Sequence, residues 1–321
     1  MNICIQSLKN SQEVPVLLTA FNRANKVKQL VAALRRVRPT RLFLAADGPR
    51  ESSPGDTDKC RLTRDELSRI DWPCDIKTLY REKNLGCDPA VSSAINWFFE
   101  HVDYGLIFED DCIPHPDLFR FAEEMFSRFY NDQRVMQISG LSPYPKRDYP
   151  YDYHFSRRFR CGGGWGTWKR AWNLYSDSVM VYSEHIEKIL ASYYPFGAQF
   201  TRRLKQYKAF ERGDRDNWDF KWNLACYANN GLAVVPENNL VVNIGFDDEG
   251  THTKNKTHFL SGLSSEPLAT PLRHPPFVYA DCEREDTLSQ KIWQSFPLAS
   301  RTWLTLRHYA GLIHHIKTIR L

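Results

Sequence analysis

Three consecutive carboxylates, Glu109, Asp110 and Asp111, directly follow the apolar residues 106–108. Ligands of a parallel sheet bind beyond the carboxyl ends of its strands, so a strand that ends in three acids indicates a site. Because the carboxylates repel one another, a cation should lie close to them. Strand alternation places Glu109 and Asp111 on one side, which can hold a metal, and Asp110 on the other, which can contact a sugar or ribose hydroxyl. Hard oxygen ligands favour Mg²⁺ or Mn²⁺, and a solvated acidic turn is the alternative.

Acidic and aromatic residues alternate in the segment 214–222, which includes Asp216, Trp218 and Asp219. Aromatic packing around Asp219 would raise its pKa, which suits a general base that takes the proton of an acceptor hydroxyl. Asp216 is the second candidate for this role. The alternative for Asp219 is a capping role at the start of the helix that should follow it.

Three further positions carry residue types that are typical of nucleotide sites. Arg23 follows the first apolar run and offers a planar, charged fork for a base or phosphate, or else forms a surface ion pair. Asp47 precedes Gly48 and Pro49, where it either contacts a ligand or caps a turn. Gly163 and Gly164 lie in a glycine run that lets backbone amides approach a ligand closely, or that serves as a hinge.

Aromatic and imidazole groups complete the candidate set. Trp165 and Trp168 offer flat faces to a sugar, although Trp168 and Trp172 lie at helical spacing and can equally be core residues. His252 follows a loop bracketed by glycines, and a neutral imidazole is an acceptable Mn²⁺ ligand beside a carboxylate. A surface histidine is the alternative.

The elements that must position these residues alternate between strands and helices. Apolar, strand-length runs occur at 14–20, 42–46, 76–80, 106–108, 135–139, 233–235 and 240–244. Helical periodicity follows Asn25, Asp88 and Pro116, whereas residues 51–59 have the polarity of a loop. This alternation predicts an α/β fold with a mostly parallel, helix-covered sheet. The aromatic, glycine-rich stretch 141–175 is predicted to be irregular and to form a substrate surface.

Several function classes are excluded. The first strand-to-helix turn, residues 19–23, lacks the Gly-x-Gly-x-x-Gly of dinucleotide oxidoreductases, the P-loop sequence, and the glycine- and arginine-rich loop of sugar nucleotidyltransferases. The net charge of +5 is spread over dispersed Lys and Arg residues, which disfavours nucleic-acid binding and suits an anionic small molecule or membrane surface. The 8 cysteines form no Cys-x-x-Cys pair, which predicts reduced thiols and a cytoplasmic protein.

Together, these motifs resemble those of GT-A-fold glycosyltransferases, in particular the inverting N-acetylglucosaminyltransferase I type and related bacterial sugar transferases. The resemblance runs from about Val14 to His252. It implies that Arg23 contacts the nucleotide, that Asp47 binds the uracil and that Asp111 is the direct metal ligand of the acidic motif. It further implies that the glycine run lies under the donor sugar, and that the segment around Trp218 and Asp219 carries the base. His252 would complete the coordination of Mn²⁺ or Mg²⁺.

The resulting prediction is a metal-dependent inverting glycosyltransferase that moves a sugar, with N-acetylglucosamine as the candidate, from a UDP-linked donor to a hydroxyl of a glycan or lipid-linked glycan. Catalysis is assigned to Asp219, with Asp216 as the alternate, and metal binding to Asp111 and His252. Donor binding is assigned to Arg23, Asp47, Glu109, Asp110, Gly163, Gly164, Trp165 and Trp218. The alternatives are a retaining transferase on this fold, and an inactive nucleotide-sugar-binding or lectin-like protein.

We expect a transferase domain at residues 1–258 and a C-terminal extension at 259–321. Unlike the animal enzymes, the sequence begins without a membrane anchor, so we expect a cytoplasmic location rather than a Golgi one. From 301 to 321 apolar residues recur at helical spacing, and the polar side is basic without an acidic residue. This pattern predicts an amphipathic helix that either contacts the inner face of the membrane or packs on the domain.

Overall fold

The computed structural model describes residues 13–194, 197–215, 217–246 and 260–294. The strands in these ranges are β1 Val16–Ala20, β2 Arg41–Ala46, β3 Asp75–Tyr80, β4 Tyr104–Glu109, β5 Cys112–Pro114, β6 Val135–Ser139, β7 Tyr153–Ser156, β8 Trp165–Trp168, β9 Leu232–Pro236 and β10 Val241–Asn243. The helices are α1 Ala24–Leu34, α2 Asp56–Leu67, α3 Cys87–His101, α4 Asp117–Arg128, α5 Lys169–Trp172, α6 Ile186–Tyr193, α7 Gly197–Glu211, α8 Trp218–Ala228 and α9 Cys282–Gln294, with a short 3₁₀ helix at Val179–Tyr182.

Eight strands form one central sheet in the order β3-β2-β1-β4-β8-β6-β9-β7. β7 and β8 run antiparallel to their neighbours, and the other strands of this sheet run parallel. The predicted α/β class, with a mostly parallel sheet flanked by helices, is confirmed. β5 and β10 pair antiparallel in a separate small sheet.

The core lies on both faces of the central sheet because successive residues of a strand point to opposite faces. In β1, Leu17 packs in one apolar cluster with residues of α3 and α8. Its neighbours Val16 and Leu18 pack in the other cluster, with residues of α1 and α4. The sheet is thereby covered on both sides, which leaves the ends of its strands as the place for a site.

The stretch 141–175 differs from the prediction of an irregular surface, because it supplies β7 and β8 of the central sheet. All four residues of β8 are buried. Trp165 packs in the cluster with α3 and α8, and Trp168 packs in the opposite cluster. The tryptophans of this stretch therefore fill the core on both faces of the sheet. Trp168 and Trp172 are core residues, which was the alternative that their helical spacing allowed.

The predicted loop 51–59 is also corrected, since α2 begins within it at Asp56. Gly55 precedes the helix at φ 89°, and Asp56 and Asp58 lie in its first turn, where acidic groups stabilise the positive end of a helix. Only a few residues of α2 are buried, so its sequence lacks a strong apolar period.

Residues 260–294 lie against the edge of the central sheet that β7 forms. Arg273 pairs with Asp152, and its Nη2 lies 2.8 Å from Asp152 Oδ1. Arg284 donates from Nη2 to Glu237 Oε2 at 2.8 Å, and Ala280 forms a bridge with Phe155. No helix within the described residues is long and apolar enough to cross a membrane. The amphipathic segment 301–321 lies outside the described residues.

Candidate active site

Four groups of the predicted site residues come together at one edge of the central sheet. β1, β2 and β4 run parallel, so Arg23, Asp47 and the acidic motif, Glu109–Asp111, follow the carboxyl ends of neighbouring strands. β8 runs antiparallel to β4, so the glycine run, Gly162–Gly164, enters the sheet at this same edge. The positions of these four groups fit the rule that α/β folds bind ligands at the carboxyl edge.

The chain turns directly after β4, and this turn sets the direction of the acidic side chains. β4 ends at Glu109, and Asp110 and Asp111 form the turn before β5. Arg23 donates from Nε to Asp110 Oδ2 at 3.0 Å and from Nη1 to Asp111 Oδ2 at 3.2 Å, and its Nη2 donates to Asp110 Oδ1. The prediction that Asp110 and Asp111 lie on opposite sides is wrong, because the strand ends before Asp110.

Arg23 is therefore the cation that the acidic motif requires, and it neutralises only part of the negative charge. Burial, with the neighbouring Asp111 and Asp110 carboxylates, raises the pKa of Glu109 to about 8. Burial raises the pKa of Asp110 to about 6, although Arg23 favours its ionised form. Burial would lower the pKa of Arg23, but Asp110 and Asp111 raise it. The repulsion that remains at this edge would be relieved by a further cation.

The small sheet brings two residues to Asp111 that the sequence analysis did not identify. β10 pairs with β5 so that Asn243 lies opposite Cys112, and Ile244 N donates to Asp111 O at 2.8 Å. Asn243 Nδ2 lies 3.4 Å from Asp111 Oδ1 and 2.5 Å from Gly162 O, so one amide joins the acidic motif to the glycine run. Gly245 follows, and a Cβ at this position would lie 2.8 Å from Asp111 Cγ.

The carboxylate of Asp111 is the type of ligand that a hard divalent cation prefers. Among the described residues, the hydrogen-bond partners of Asp111 Oδ1 and Oδ2 lie at 3.2–3.5 Å, and Mg²⁺ or Mn²⁺ commonly binds through one or two carboxylates with substrate phosphates. Within the described part of the chain, no group of three or more His, Cys, Asp or Glu side chains could hold a metal. His252, the second predicted ligand, lies outside the described residues. The last described strand before it in the chain, β10, pairs with β5, which directly follows Asp111.

Asp219, the predicted base, lies in the first turn of α8 and is half-buried. The helix cap is Asn217, whose Oδ1 accepts from Asp219 N at 3.2 Å, so the capping role belongs to a different residue. The Asp219 carboxylate contributes to the raised pKa of Glu109, which places it within electrostatic reach of the acidic motif. Asp216, the alternate base, lies outside the described residues.

Two buried contacts fix α8 and with it Asp219. Trp222 Nε1 donates to Gln137 Oε1 of β6 at 2.9 Å. Lys221 Nζ forms a buried ion pair with Asp88 at the start of α3. Because one contact reaches the sheet and the other reaches a neighbouring helix, the first turn of α8 is held on two sides. Neither partner is evident from the sequence, since both lie more than 80 residues away.

Asp47 is buried, and both of its carboxylate oxygens accept hydrogen bonds from the protein. Oδ1 accepts from Gly48 N at 2.9 Å, and Oδ2 accepts from Asn84 Nδ2 at 2.8 Å. Leu85 N lies 3.1 Å from each oxygen. These contacts match the turn-capping alternative and hold residues 84–85 against the end of β2. A uracil contact through Asp47 would have to compete with them.

The glycine run and the neighbouring tryptophans are fixed by close packing. Gly164 has φ 68°, and a Cβ there would lie 2.6 Å from the Phe108 ring, so this position requires glycine. Trp165 stacks on Trp218 with ring centroids 5.6 Å apart and planes at 19°. Both indoles are buried, at 1% and 3% exposure. Their faces are covered by protein, so the predicted sugar contact of Trp165 and the predicted donor contact of Trp218 both lack an accessible face.

No protein-family model matches the sequence, and no curated protein matches it. Among solved structures, the chain is similar to a mannosyltransferase from Pyrobaculum calidifontis in complex with GDP-Man and Mn²⁺. The identity is 12% and the TM-score 0.36, and the match covers 70% of this chain and 76% of that one. It is also similar to a cytidylyltransferase from Leptospira borgpetersenii serovar Hardjo-bovis, with 10% identity and a TM-score of 0.27. That match covers 42% of this chain and 57% of the cytidylyltransferase, little over half of its length.

Proposed function

We propose that the protein is a metal-dependent glycosyltransferase of the GT-A type that moves a sugar from a UDP-linked donor to an acceptor hydroxyl with inversion. One observation carries this proposal. The acidic motif, its Arg23 partner and the glycine run meet at the carboxyl edge of the sheet, and Asp219 lies within electrostatic reach of that edge. A nucleotide-sugar site needs this combination of cation-binding, close-approach and proton-accepting groups.

Asp111 and His252 would hold Mn²⁺ or Mg²⁺. When bound, the metal would neutralise charge on the departing nucleoside diphosphate as a Lewis acid. The support from this chain is the position of Asp111, whose carboxylate is fixed by Arg23 and faces Asn243 and Gly245. Arg23 keeps Asp110 and Asp111 in place. We also assign to Arg23 a contact with the nucleotide.

Asp219 would act as the general base. As the acceptor oxygen bonds to the anomeric carbon, the hydroxyl proton would pass to the Asp219 carboxylate, and the nucleoside diphosphate would leave from the opposite face. The support is the half-buried position of Asp219 near the acidic motif, with its backbone amide capped by Asn217. Asp216 remains the alternate base.

The remaining donor contacts have unequal support. Glu109 and Asp110 lie at the edge itself. Gly163 and Gly164 also lie at this edge, but a Cβ there would meet the side chains of Leu141 and Phe108, so internal packing alone accounts for these two glycines. Asp47 is better supported as the residue that shapes the end of β2. Trp165 and Trp218 would act by supporting the glycine run and the first turn of α8, since their rings stack on each other.

The proposal is tested by incubating the full chain with a panel of nucleotide sugars, including UDP-N-acetylglucosamine, with Mn²⁺ or with EDTA. We expect one donor to release its nucleoside diphosphate in Mn²⁺ and not in EDTA. Release from no donor, combined with intact UDP binding, would instead favour the inactive nucleotide-sugar-binding protein. Anomeric analysis of the product separates an inverting transferase from a retaining one.

The acceptor would be a glycan or a lipid-linked glycan, with the chain in the cytoplasm and in peripheral contact with the membrane. The support is the apolar and basic pattern of residues 301–321. Flotation with anionic liposomes tests this contact: binding should weaken with salt and disappear on truncation at Ser300. Full-length protein that stays in the soluble fraction at low salt would mean that the segment has no membrane role.

A further inference from the structure

β3 forms one edge of the central sheet, and β7 forms the other. The edge at β7 is covered, because Asp281 N donates to Phe155 O at 2.8 Å. β3 pairs with β2 on its inner side, and within the described ranges no strand pairs with its outer side. Five of the six residues of β3 are exposed, among them Ile76 at 41% and Tyr80 at 37%. An edge of this kind can accept another strand.

The hydrogen bonds to β2 identify the backbone groups of β3 that face outward. Asp75 N and Arg81 N donate to carbonyl groups at the two ends of β2, at 2.7 and 3.0 Å. The N–H and C=O groups of alternate residues point to opposite sides of a strand, so those of Ile76, Thr78 and Tyr80 point away from β2. These three residues present the donors and acceptors that a further strand would use.

A second copy of β3 can occupy this edge around a two-fold axis. An axis perpendicular to the sheet pairs β3 antiparallel with its copy, and one residue then lies opposite its own counterpart. The axis can pass through either of the two central residues of β3, Lys77 or Thr78. With Lys77 at the axis, two like charges lie directly opposite each other, which is unfavourable. The symmetry therefore favours the register that is centred on Thr78.

The Thr78 register forms three favourable kinds of cross-strand pair. Thr78 lies opposite Thr78 of the second copy, Ile76 opposite its Tyr80, and Asp75 opposite its Arg81. Pairs of two threonines, of a β-branched and an aromatic residue, and of opposite charges each stabilise a sheet. Ile76, Thr78 and Tyr80 are also the residues whose backbone groups face outward, so the same register satisfies the open hydrogen bonds.

We propose that the chain forms a two-fold dimer through β3, with Thr78 at the axis, so that the two central sheets join into one. The occupant is a second copy because one register pairs the exposed apolar residues with each other and opposite charges with each other. β3 carries none of the residues assigned to catalysis, donor binding or metal binding. The dimer is therefore independent of the proposed function.

The test is sedimentation velocity of the full chain over a range of concentrations. We expect wild type to dimerise. Asp75→Arg places arginines opposite each other at both ends of the interface, so the dimer dissociation constant should rise by about tenfold or more. Asp75→Arg combined with Arg81→Asp restores both pairs of opposite charges and should return the constant to near the wild-type value. Arg81 also donates from Nη2 to Ser93 Oγ at 2.7 Å, so Asp75→Arg is the cleaner single variant.

Asp103→Arg is the matched control, because Asp103 is exposed and precedes β4, three strands away from β3 in the sheet. It should leave the dissociation constant unchanged. Thr78→Pro removes the N–H at the axis but no hydrogen bond to β2, and edge strands tolerate proline where the N–H faces solvent. This variant should be monomeric. If it fails to fold, the charge variants still decide the question.

Three results would overturn the inference. The first is a wild-type chain that stays monomeric. The second is a dimer that Asp75→Arg and Thr78→Pro leave unchanged, because it would use another surface. The third is a double charge variant that dimerises no more tightly than Asp75→Arg, which would contradict the Thr78 register. None of these results bears on the Mn²⁺-dependent binding of UDP, so the dimer and the proposed function can fail separately.

Discussion

Gly245 lies directly against the Asp111 carboxylate, so closely that a Cβ would overlap Asp111 Oδ2 and lie 2.8 Å from Cγ. The contact depends on β10, which runs beside β5, and on Asn243, whose Oδ1 accepts from Gly245 N at 2.7 Å. The carboxylate that we assign to the metal is therefore confined by Arg23 and by a glycine.

This confinement predicts that Gly245→Ala displaces Asp111 and weakens Mn²⁺-dependent UDP binding by at least about tenfold, the loss that one charge-assisted contact carries. Wild type is the reference. Titration of both proteins with UDP in Mn²⁺ makes the comparison. Equal affinities in the variant and in wild type would contradict the assignment of the metal to the Asp111 carboxylate.

Arg23 should matter to the fold as well as to the site. Asp110 is buried and receives two hydrogen bonds from Arg23, so Arg23→Met leaves a buried carboxylate without its main cation. We expect the free energy of unfolding to fall by about 3 kcal/mol. Arg61→Met, which removes an exposed pair with Asp65 on α2, should change it by less than about 1 kcal/mol. Urea unfolding measures both, and similar losses in the two variants would contradict the role of Arg23 as the counterion of Asp110.

The local signals of the sequence predicted much of the fold. The apolar run 135–139 coincides with β6. The acidic motif lies at the end of β4, as the apolar residues directly before it indicated. These elements depend on residues that are adjacent in the chain. Local sequence patterns are therefore sufficient to predict these elements.

Other elements depend on partners far away in the chain and could not be predicted in this way. β8 is buried on both faces by tryptophans, so it lacks the alternation that marks a strand. Asn243 and Gly245 became site residues only because β10 pairs with β5, some 130 positions earlier in the chain. The turn between β4 and β5 sets the directions of the Asp110 and Asp111 carboxylates, so they differ from those of a continuous strand. No periodicity in the sequence marks that turn.

Asp219→Asn should separate binding from chemistry. The amide keeps the shape of the side chain but cannot take a proton, so turnover should fall by about 10²-fold or more while UDP affinity stays near the wild-type value. Asp216→Asn serves as the comparison. An inactive Asp216→Asn with an active Asp219→Asn would exchange the two roles.

His154 predicts a pH dependence of stability. Burial lowers the pKa of His154, although its hydrogen bond to Glu237 opposes the shift. The unfolded chain therefore takes up a proton near pH 6.5 that the folded chain does not, so stability is full above this pH and is lost as the pH falls below it. The pKa of Glu237 is lowered from 4.5, so its own contribution is lost only at more acidic pH.

The measurement is urea unfolding of wild type and His154→Gln between pH 7.5 and 5.5. Wild type should lose more stability than the variant on acidification, by up to about 1.4 kcal/mol per pH unit below 6.5, since the variant lacks this proton. His274 titrates in both proteins and cancels in the difference. Parallel pH profiles would mean that folding does not shift the pKa of His154.

The central claim, a metal-dependent nucleotide site at Asp111, is tested most directly by calorimetric titration of UDP into wild type and Asp111→Asn, each with Mn²⁺ and with EDTA. We predict that Mn²⁺ strengthens UDP binding to wild type by at least about tenfold, and that Asp111→Asn abolishes this gain, because an amide is a weaker ligand for a hard cation than a carboxylate. An Asp111→Asn variant that retains the wild-type gain in Mn²⁺ would contradict the assignment of the site.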